Sequence, residues 1–146
     1  MMDANFAEAL ITNMPDAVIY SDRDGIIQYW NGGAARMFGH TPAEAIGQSL
    51  DLITPEGLRA RHWAGYHETM RTGQTRYGDG QTLSVPAIRK DGRRISVAFT
   101  IVPFKDDHGS MAGIAAVMRD VTEQFEETRA LRKEVASLRE RAQSAA

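Results

Sequence analysis

Three short turn sequences divide the apolar segments of this chain into neighbouring pairs. The sequence SDRDG ends in Asp24-Gly25 and separates an apolar run at residues 17–22 from a second run at 26–30. Glycine adopts the positive φ of a tight hairpin turn without steric cost, so this dipeptide favours a hairpin. Farther along, KDG and KDDHGS separate three more strand-like runs. Links this short join antiparallel neighbours, and the sequence therefore predicts an antiparallel sheet of five strands.

The segment between these two groups of strands favours helices. Residues 31–57 contain short apolar clusters and two predicted N-caps, Asn31 and Thr41. Proline follows Thr41 at the first helical position and glutamate stands three residues after the cap, which is the capping-box pattern. A longer helix is predicted over about residues 58–70, with its end near Gly73. Helices collected on one face of an antiparallel sheet give an α+β fold.

The C-terminal segment has a heptad-like pattern. From Glu123 onward the chain is rich in charge and contains neither glycine nor proline. Small or apolar residues recur there at alternating spacings of 3 and 4, as in a coiled-coil seam: Thr128, Leu131, Val135, Leu138 and Ala142. Because only about two heptads are present, two interpretations stay open. The helix either forms a parallel dimer seam through Leu131, Val135 and Leu138, or it packs as an amphipathic helix on its own domain.

Length and composition indicate one domain with a short extension at each end. The chain has 146 residues, of which 42% are hydrophobic and 25% charged, as in an average globular protein. We expect a leading cap helix at residues 1–15 and a central domain at 16–122. A C-terminal amphipathic helix at 123–146 is expected to serve signalling or dimerisation.

Charge and hydropathy argue against several classes of partner. A net charge of -2 without a basic cluster argues against nucleic acid. The apolar runs are far shorter than the roughly 20 residues that span a bilayer, so we expect no membrane partner and favour a cytoplasmic location. The chain contains no cysteine, which removes disulfides, thiolate ligands and thiol nucleophiles. No arrangement of serine, histidine and aspartate suggests catalysis, so we do not expect an enzyme.

Several strings in this order of elements resemble the PAS domain, a sensory module of bacterial signalling proteins. They are MPDAVIYSDRDGIIQYWNGGAARMFGHTPAEAIGQSL, IRKDGRRISVAFTIVPFKDDHG and GIAAVMRDVTEQ, which with the intervening helix cover about residues 6–124. The resemblance implies a five-stranded antiparallel sheet with short helices on one face, enclosing a ligand-sized pocket. It also implies that the closing DVT, with Asp120 and Thr122, joins the sheet to a signalling helix. We expect a homodimer that acts on a separate downstream protein.

The resemblance extends to one histidine. In the haem-binding PAS domains of oxygen-sensing kinases, an axial histidine lies on the long helix in a string similar to RARH, and His62 matches it. This chain departs from that pattern at QTLSVP, which lacks an arginine for bound oxygen, and at Glu68, where a basic residue would meet a haem propionate. His67 lies about 140° around the helix from His62, so we assign it to the surface, together with His40 and His108. The alternative for His62 is an ordinary packed histidine.

The predicted pocket is lined from the helices and from the sheet. Its expected lining residues are His62, Tyr66, Met37, Phe38, Ile53, Leu83, Val97, Phe99 and Ile114. We also expect Ile46 and Val117 there. The leading cofactor is haem b with His62 bound to its iron, while flavin or a fatty acid would suit a Met- and Ile-lined cavity equally well. The lack of cysteine excludes the flavin photoadduct and the xanthopsin-like chemistry of other family members. The competing interpretation is a ligand-free module for protein–protein interaction and dimerisation.

Overall fold

The computed structural model describes residues 4–74 and 83–145, which are built around one antiparallel sheet. Its five strands are β1 (Ala17–Asp22), β2 (Ile27–Trp30), β3 (Leu83–Ile88), β4 (Arg94–Lys105) and β5 (Met111–Asp120). Their order across the sheet is β2-β1-β5-β4-β3, and every neighbouring pair is antiparallel. The last strand, β5, is therefore the central one and pairs with both β1 and β4. This confirms the sheet that the turn sequences predict.

The helices lie before, within and after this set of strands, as the sequence predicts. They are α1 (Ala4–Asn13), α2 (Gly32–Phe38), α3 (Pro42–Ala45), α4 (Arg59–Thr72) and α5 (Thr122–Ser144), with short 3₁₀ segments at Leu50–Ile53 and Glu56–Leu58. No helix within the two described ranges is both long and apolar enough to cross a membrane.

Local sequence signals determine where the helices begin and end. Asn31 Oδ1 accepts a hydrogen bond from Ala34 N at 2.9 Å and caps α2. Thr41 and Glu44 each bind the backbone amide of the other at α3, a complete capping box. Helix α4 ends at Gly73, whose φ of 71° is left-handed. All three predicted caps are confirmed, because each depends on residues within about one turn.

One face of the sheet forms the core. Residues directly opposite each other in an antiparallel pair point to the same side, and Ile19 and Ile101 both lie opposite Ala116. The largest fully buried side chains are Phe38, Ile19, Ile27, Ile95, Val97 and Asn31. On the other face Val102 and Phe104 keep 48% and 47% of their surface exposed. The two faces therefore differ, one covered by α2 to α4 and one partly open.

Asn31 connects three elements inside this core. Its Nδ2 donates to the carbonyl oxygens of Ile11 at 2.7 Å and Asp16 at 3.0 Å, and its Oδ1 accepts from Val18 N at 2.8 Å. A buried amide is stabilising only when its donors and acceptor are paired, as here. This side chain therefore holds the end of α1 against β1 and α2. No side chain of α1 itself is buried within residues 4–13.

Candidate functional site

The long helix α4 turns one face toward the sheet. Tyr66 and Thr69, three residues apart on that face, are each only 7% exposed, and His62 lies half-buried one turn before Tyr66. His67 and Glu68 lie elsewhere on the helix and are exposed. Of the two histidines on α4, His62 is thus the one associated with the buried side.

The imidazole of His62 has a buried nitrogen without a partner. Nδ1 is shielded from solvent and makes no hydrogen bond within the described residues. The ring centroid lies 4.8 Å from that of Trp63 and 5.9 Å from that of Tyr66. Burial lowers the pKa of His62, and the nearby Asp51 carboxylate offsets part of this effect. The neutral ring is therefore favoured, and this is the form in which a histidine nitrogen binds a metal.

Trp63 packs beside His62 and connects α4 to the first hairpin. Its indole Nε1 donates to Asp51 Oδ1 at 2.8 Å. Its ring lies against Gly25, whose φ of +77° and missing Cβ both suit this position. The ring of His67 stacks on the indole, with centroids 5.8 Å apart. Sequence reasoning missed Trp63, although a tryptophan next to a candidate ligand was a usable signal.

Tyr66 joins the same helix to β1. Its hydroxyl donates to the carbonyl oxygen of Asp22 and lies 3.0 Å from Ser21 Oγ. Burial raises the pKa of Tyr66, so the hydroxyl keeps the proton that it donates. The hydroxyl group therefore fixes the position of α4, and with it His62, relative to the sheet.

The other predicted lining residues differ in how deeply they are buried. Phe38, Ile53, Val97 and Ile114 are buried in the same apolar cluster as Tyr66, and Met37 packs at its margin. Phe99 is half-buried and lies opposite Met118 on the inner face of the sheet. The side chain of Leu83 lies outside the described part of the chain. The structure therefore places most of the predicted set in one apolar cluster with Tyr66.

Two further expectations about the lining are wrong. Ile46 is the C-cap of α3 and is 44% exposed, whereas the preceding Ala45 is the residue of this helix that enters the core. Val117 lies opposite Thr100 and thus on the outer face of the sheet. Successive residues of a strand alternate between faces, so Val117 and Ile114, three apart, cannot share one.

His40 is not the simple surface residue that the sequence suggests. Its carbonyl oxygen accepts a hydrogen bond from Trp30 Nε1 at 2.9 Å, and the two rings lie edge to face at 6.3 Å. Burial lowers the pKa of His40. His108, in the turn after β4, is exposed as expected.

The joint between the sheet and α5 is a compact hydrogen-bond network. Asp120 Oδ1 accepts from Thr122 N at 3.0 Å and also from the Thr122 hydroxyl. Thr122 Oγ1 in turn accepts from Ser96 N on β4 at 2.9 Å, and Val121 N donates to Ser96 O at 2.8 Å. The two residues predicted at this joint thus tie the first turn of α5 to both β4 and β5.

Helix α5 leaves its own domain after this joint. None of its side chains is buried in the described chain, and Leu131, Val135 and Leu138 are 56%, 45% and 54% exposed. The interpretation in which α5 packs as an amphipathic helix on its own domain is therefore wrong. Its apolar side is not covered by any described residue.

The donors on α4 suit a haem better than a bare metal ion. His62 offers one neutral nitrogen, and within residues 4–74 and 83–145 no group of three His, Asp or Glu side chains could hold a metal. A haem iron needs few protein ligands, since the macrocycle supplies the equatorial ones. The aromatic rings of Trp63 and Tyr66 and the apolar cluster beneath them are the kind of lining that a flat apolar molecule requires. The unpartnered nitrogen of His62 beside aromatic and apolar side chains is chemically compatible with ligation of a haem iron.

Comparison with known proteins finds two sensor proteins that are similar in sequence to this chain. The chain is 32% identical over 129 residues to the sensor protein FixL of Bradyrhizobium diazoefficiens, covering 88% of this chain and 25% of FixL. It is 28% identical over 99 residues to the oxygen sensor protein DosP of Escherichia coli, covering 68% of this chain and 12% of DosP. The chain thus spans a quarter or less of these relatives.

A solved PAS domain from Colwellia psychrerythraea superposes with a TM-score of 0.71 at 22% identity, covering 82% of this chain and 97% of that one. At this identity the likeness concerns the fold. The profile of the PAS fold family matches residues 11–126, which is most of the sequence. The chain therefore belongs to the PAS fold family.

Proposed function

We propose that this chain is a sensory domain that binds haem b through His62 and signals through α5. The observation that carries the proposal is the buried, unpartnered Nδ1 of His62. Leaving a buried polar atom unpaired costs about 1–3 kcal/mol, so such an atom calls for an explanation such as a ligand. The similarity to a sensor protein and to an oxygen sensor protein supports a sensory role.

The residues that would hold the haem are those of the cluster beneath α4. His62 would bind the iron, and the predicted apolar contacts are Tyr66, Met37, Phe38, Ile53, Leu83, Val97, Phe99 and Ile114. When bound, the haem would supply an iron that changes its gas ligand or its redox state. The apolar side chains would exclude water, and the depressed pKa of His62 would keep its lone pair available.

Tyr66 provides the route from α4 to the sheet. Its hydroxyl bonds to β1 at Asp22 and Ser21, and Ser21 lies opposite Ile114 on the central strand β5. Strand β5 ends at Asp120, where the network with Thr122 begins α5. A displacement of α4 would therefore pass through β1 and β5 to α5.

We further propose how the domain is organised and where it acts. Residues 1–15 form the cap, 16–122 the sensory domain and 123–146 the signalling and dimerisation helix. The protein acts in the cytoplasm as a homodimer, has no catalytic activity of its own and addresses a separate signalling protein. The exposed seam residues of α5 support the dimer.

A ligand-free interaction module is the second candidate. Phe38 and Val97 are already 0% and 1% exposed in a closely packed core, and Val102 and Phe104 expose apolar surface on the outer face of the sheet. Such a face suits contact with another protein. Flavin or a fatty acid in the same cluster is a further variant of the ligand-binding proposal.

Visible absorption of the protein titrated with haem tests the proposal. We expect wild type to give an intense Soret band and His62→Ala to lose or shift it. His67→Ala is the matched control, because His67 is an exposed histidine on the same helix. Its spectrum is expected to equal that of wild type.

Other outcomes identify the alternatives. No haem uptake by wild type, or equal spectra for wild type and His62→Ala, would refute haem ligation by His62. A flavin spectrum from the purified protein would favour the flavin variant. A colourless protein from which an extracted fatty acid is identified would favour the apolar-metabolite variant.

A further inference from the structure

The apolar face of α5 continues without a break for most of the helix. Its seam residues, in heptad positions a and d, are Thr128, Leu131, Val135, Leu138 and Ala142. All five are exposed. The following inference rests on the proposed homodimer and concerns which way the two copies of α5 run.

Four charged residues flank this seam with a regular arrangement. Glu127 and Glu134 occupy the g positions just before Thr128 and Val135, while Arg132 and Arg139 occupy the e positions just after Leu131 and Leu138. In a parallel coiled coil, each g residue faces the e residue five positions later on the other helix. Glu127 would then face Arg132, and Glu134 would face Arg139. Both pairs are opposite in charge.

These four charges have no partner on their own helix. Oppositely charged residues stabilise a single helix when they are three or four positions apart. At those distances from Glu127, Arg132, Glu134 and Arg139 the sequence offers no residue of opposite charge. None of the four forms an ion pair within the described part of the chain. Their positions are therefore explained by a second helix better than by the first.

An antiparallel pair would bring mostly like charges together. There g faces g and e faces e, so Arg132 and Arg139 would meet arginines, and Glu134 would meet a glutamate. The third g residue, Arg141, could face Glu127 favourably at both ends of the dimer, but the arginine–arginine and glutamate–glutamate contacts would be repulsive. Like charges across an interface select against that arrangement.

We propose that the partner of this face is a second copy of the chain, parallel and in register. Glu127 and Glu134 of each copy pair with Arg132 and Arg139 of the other. Both helices then begin at the same end of the dimer, at the two joints formed by Asp120 and Thr122. A change at either joint reaches the shared coiled coil from the same end.

Single cysteines test the orientation, because the natural chain has none. Ala142→Cys places a thiol in the seam, and Ala136→Cys, on the other side of the same helix, is the matched control. Mild oxidation of the full chain is expected to link Ala142→Cys into a covalent dimer at least about tenfold faster than Ala136→Cys. In an antiparallel dimer residue 142 would face the opposite end of its partner. A dimer without the 142–142 disulfide, or equal rates for both variants, would overturn the proposal.

Charge exchange tests the pairs themselves by sedimentation. The variants Glu127→Arg/Glu134→Arg and Arg132→Glu/Arg139→Glu are each expected to self-associate about tenfold more weakly than wild type. Mixed together, they restore all four attractive pairs and should form a heterodimer. Undiminished self-association of both variants, or a wild type that is monomeric at all concentrations, would refute the inference. Neither readout uses haem, so failure of haem binding would be seen separately.

Discussion

The indole ring of Trp63 lies directly against Gly25, in the space that a Cβ atom on that residue would occupy. Trp63 also donates to Asp51, so the residue next to His62 is fixed both to the first hairpin and to the 3₁₀ segment Leu50–Ile53. The position of the candidate iron ligand therefore depends on a glycine nearly 40 residues away in sequence, at the first hairpin.

Gly25→Ala is expected to destabilise the protein by about 2–4 kcal/mol. About 1–2 kcal/mol arises from a φ of +77° and the rest from overlap with the Trp63 ring. Gly92→Ala is the control, since Gly92 has a φ of +85° but an added Cβ atom there would meet nothing within 4 Å. Gly92→Ala should lower the free energy of unfolding by about 1–2 kcal/mol. Urea unfolding measures both, and equal losses would contradict a tight Trp63 contact.

Tyr66→Phe should weaken the attachment of α4 to β1. The change leaves the Asp22 carbonyl and Ser21 without their buried partner, which costs about 1–3 kcal/mol. Tyr29→Phe is the control, because among the described residues that hydroxyl makes one contact, an exposed one of 3.3 Å with Thr12. We expect it to stay within about 0.5 kcal/mol of wild type by urea unfolding. A Tyr66→Phe protein as stable as wild type would remove Tyr66 from the proposed route.

His62 is expected to make stability depend on pH. Burial lowers its pKa in the folded state, so the unfolded chain binds the proton more readily. The stability that depends on neutral His62 is fully present above the unfolded pKa of about 6.5. It is lost as the pH falls from there toward the lower folded pKa. Asp51 opposes this shift, whereas His67 adds to it.

Urea unfolding between about pH 5 and 8 measures the effect of His62. His62→Phe should flatten the dependence in this window without abolishing it, because burial also lowers the pKa of His40. Identical pH profiles for wild type and His62→Phe would show that the imidazole is not buried as described.

Thr122→Val should loosen the joint at the start of α5. Ser96 N and Asp120 lose the hydroxyl that they share, at a cost of about 1–2 kcal/mol. Amide hydrogen exchange should become faster at Ser96 and in the first turn of α5. Thr122→Ser retains the hydroxyl and should behave like wild type, so equal exchange in the two variants would exclude a role for that group.

Local features of this fold were predictable from the sequence, and distant contacts were not. The hairpin at Gly25 and the caps at Asn31, Thr41 and Gly73 depend on a few adjacent residues, and each has a stereochemical cause. The hydrogen bonds by which the Asn31 side chain joins α1, β1 and α2 were not predictable. It requires that α1, β1 and α2 already meet.

In the candidate site, too, a local feature was predictable and a distant contact was not. The burial of His62 beside Tyr66 follows from helical periodicity. The contact between Trp63 and Gly25 joins residues on separate elements, and no local pattern indicates it. The expectation that Val117 lines the pocket was wrong for a different reason. Strict alternation along β5 puts Val117 on the face opposite to that of Ile114, so the local pattern was available and was not applied.

Imidazole rescue of His62→Gly is the most direct test of haem ligation by His62. The variant removes the side chain and leaves room for free imidazole to take its place at the iron. We predict that haem-loaded His62→Gly has an altered Soret band and that added imidazole restores the wild-type spectrum. His67→Gly should show the wild-type spectrum with and without imidazole. An unaltered Soret band in His62→Gly, or an altered band that imidazole leaves unchanged, would contradict the account.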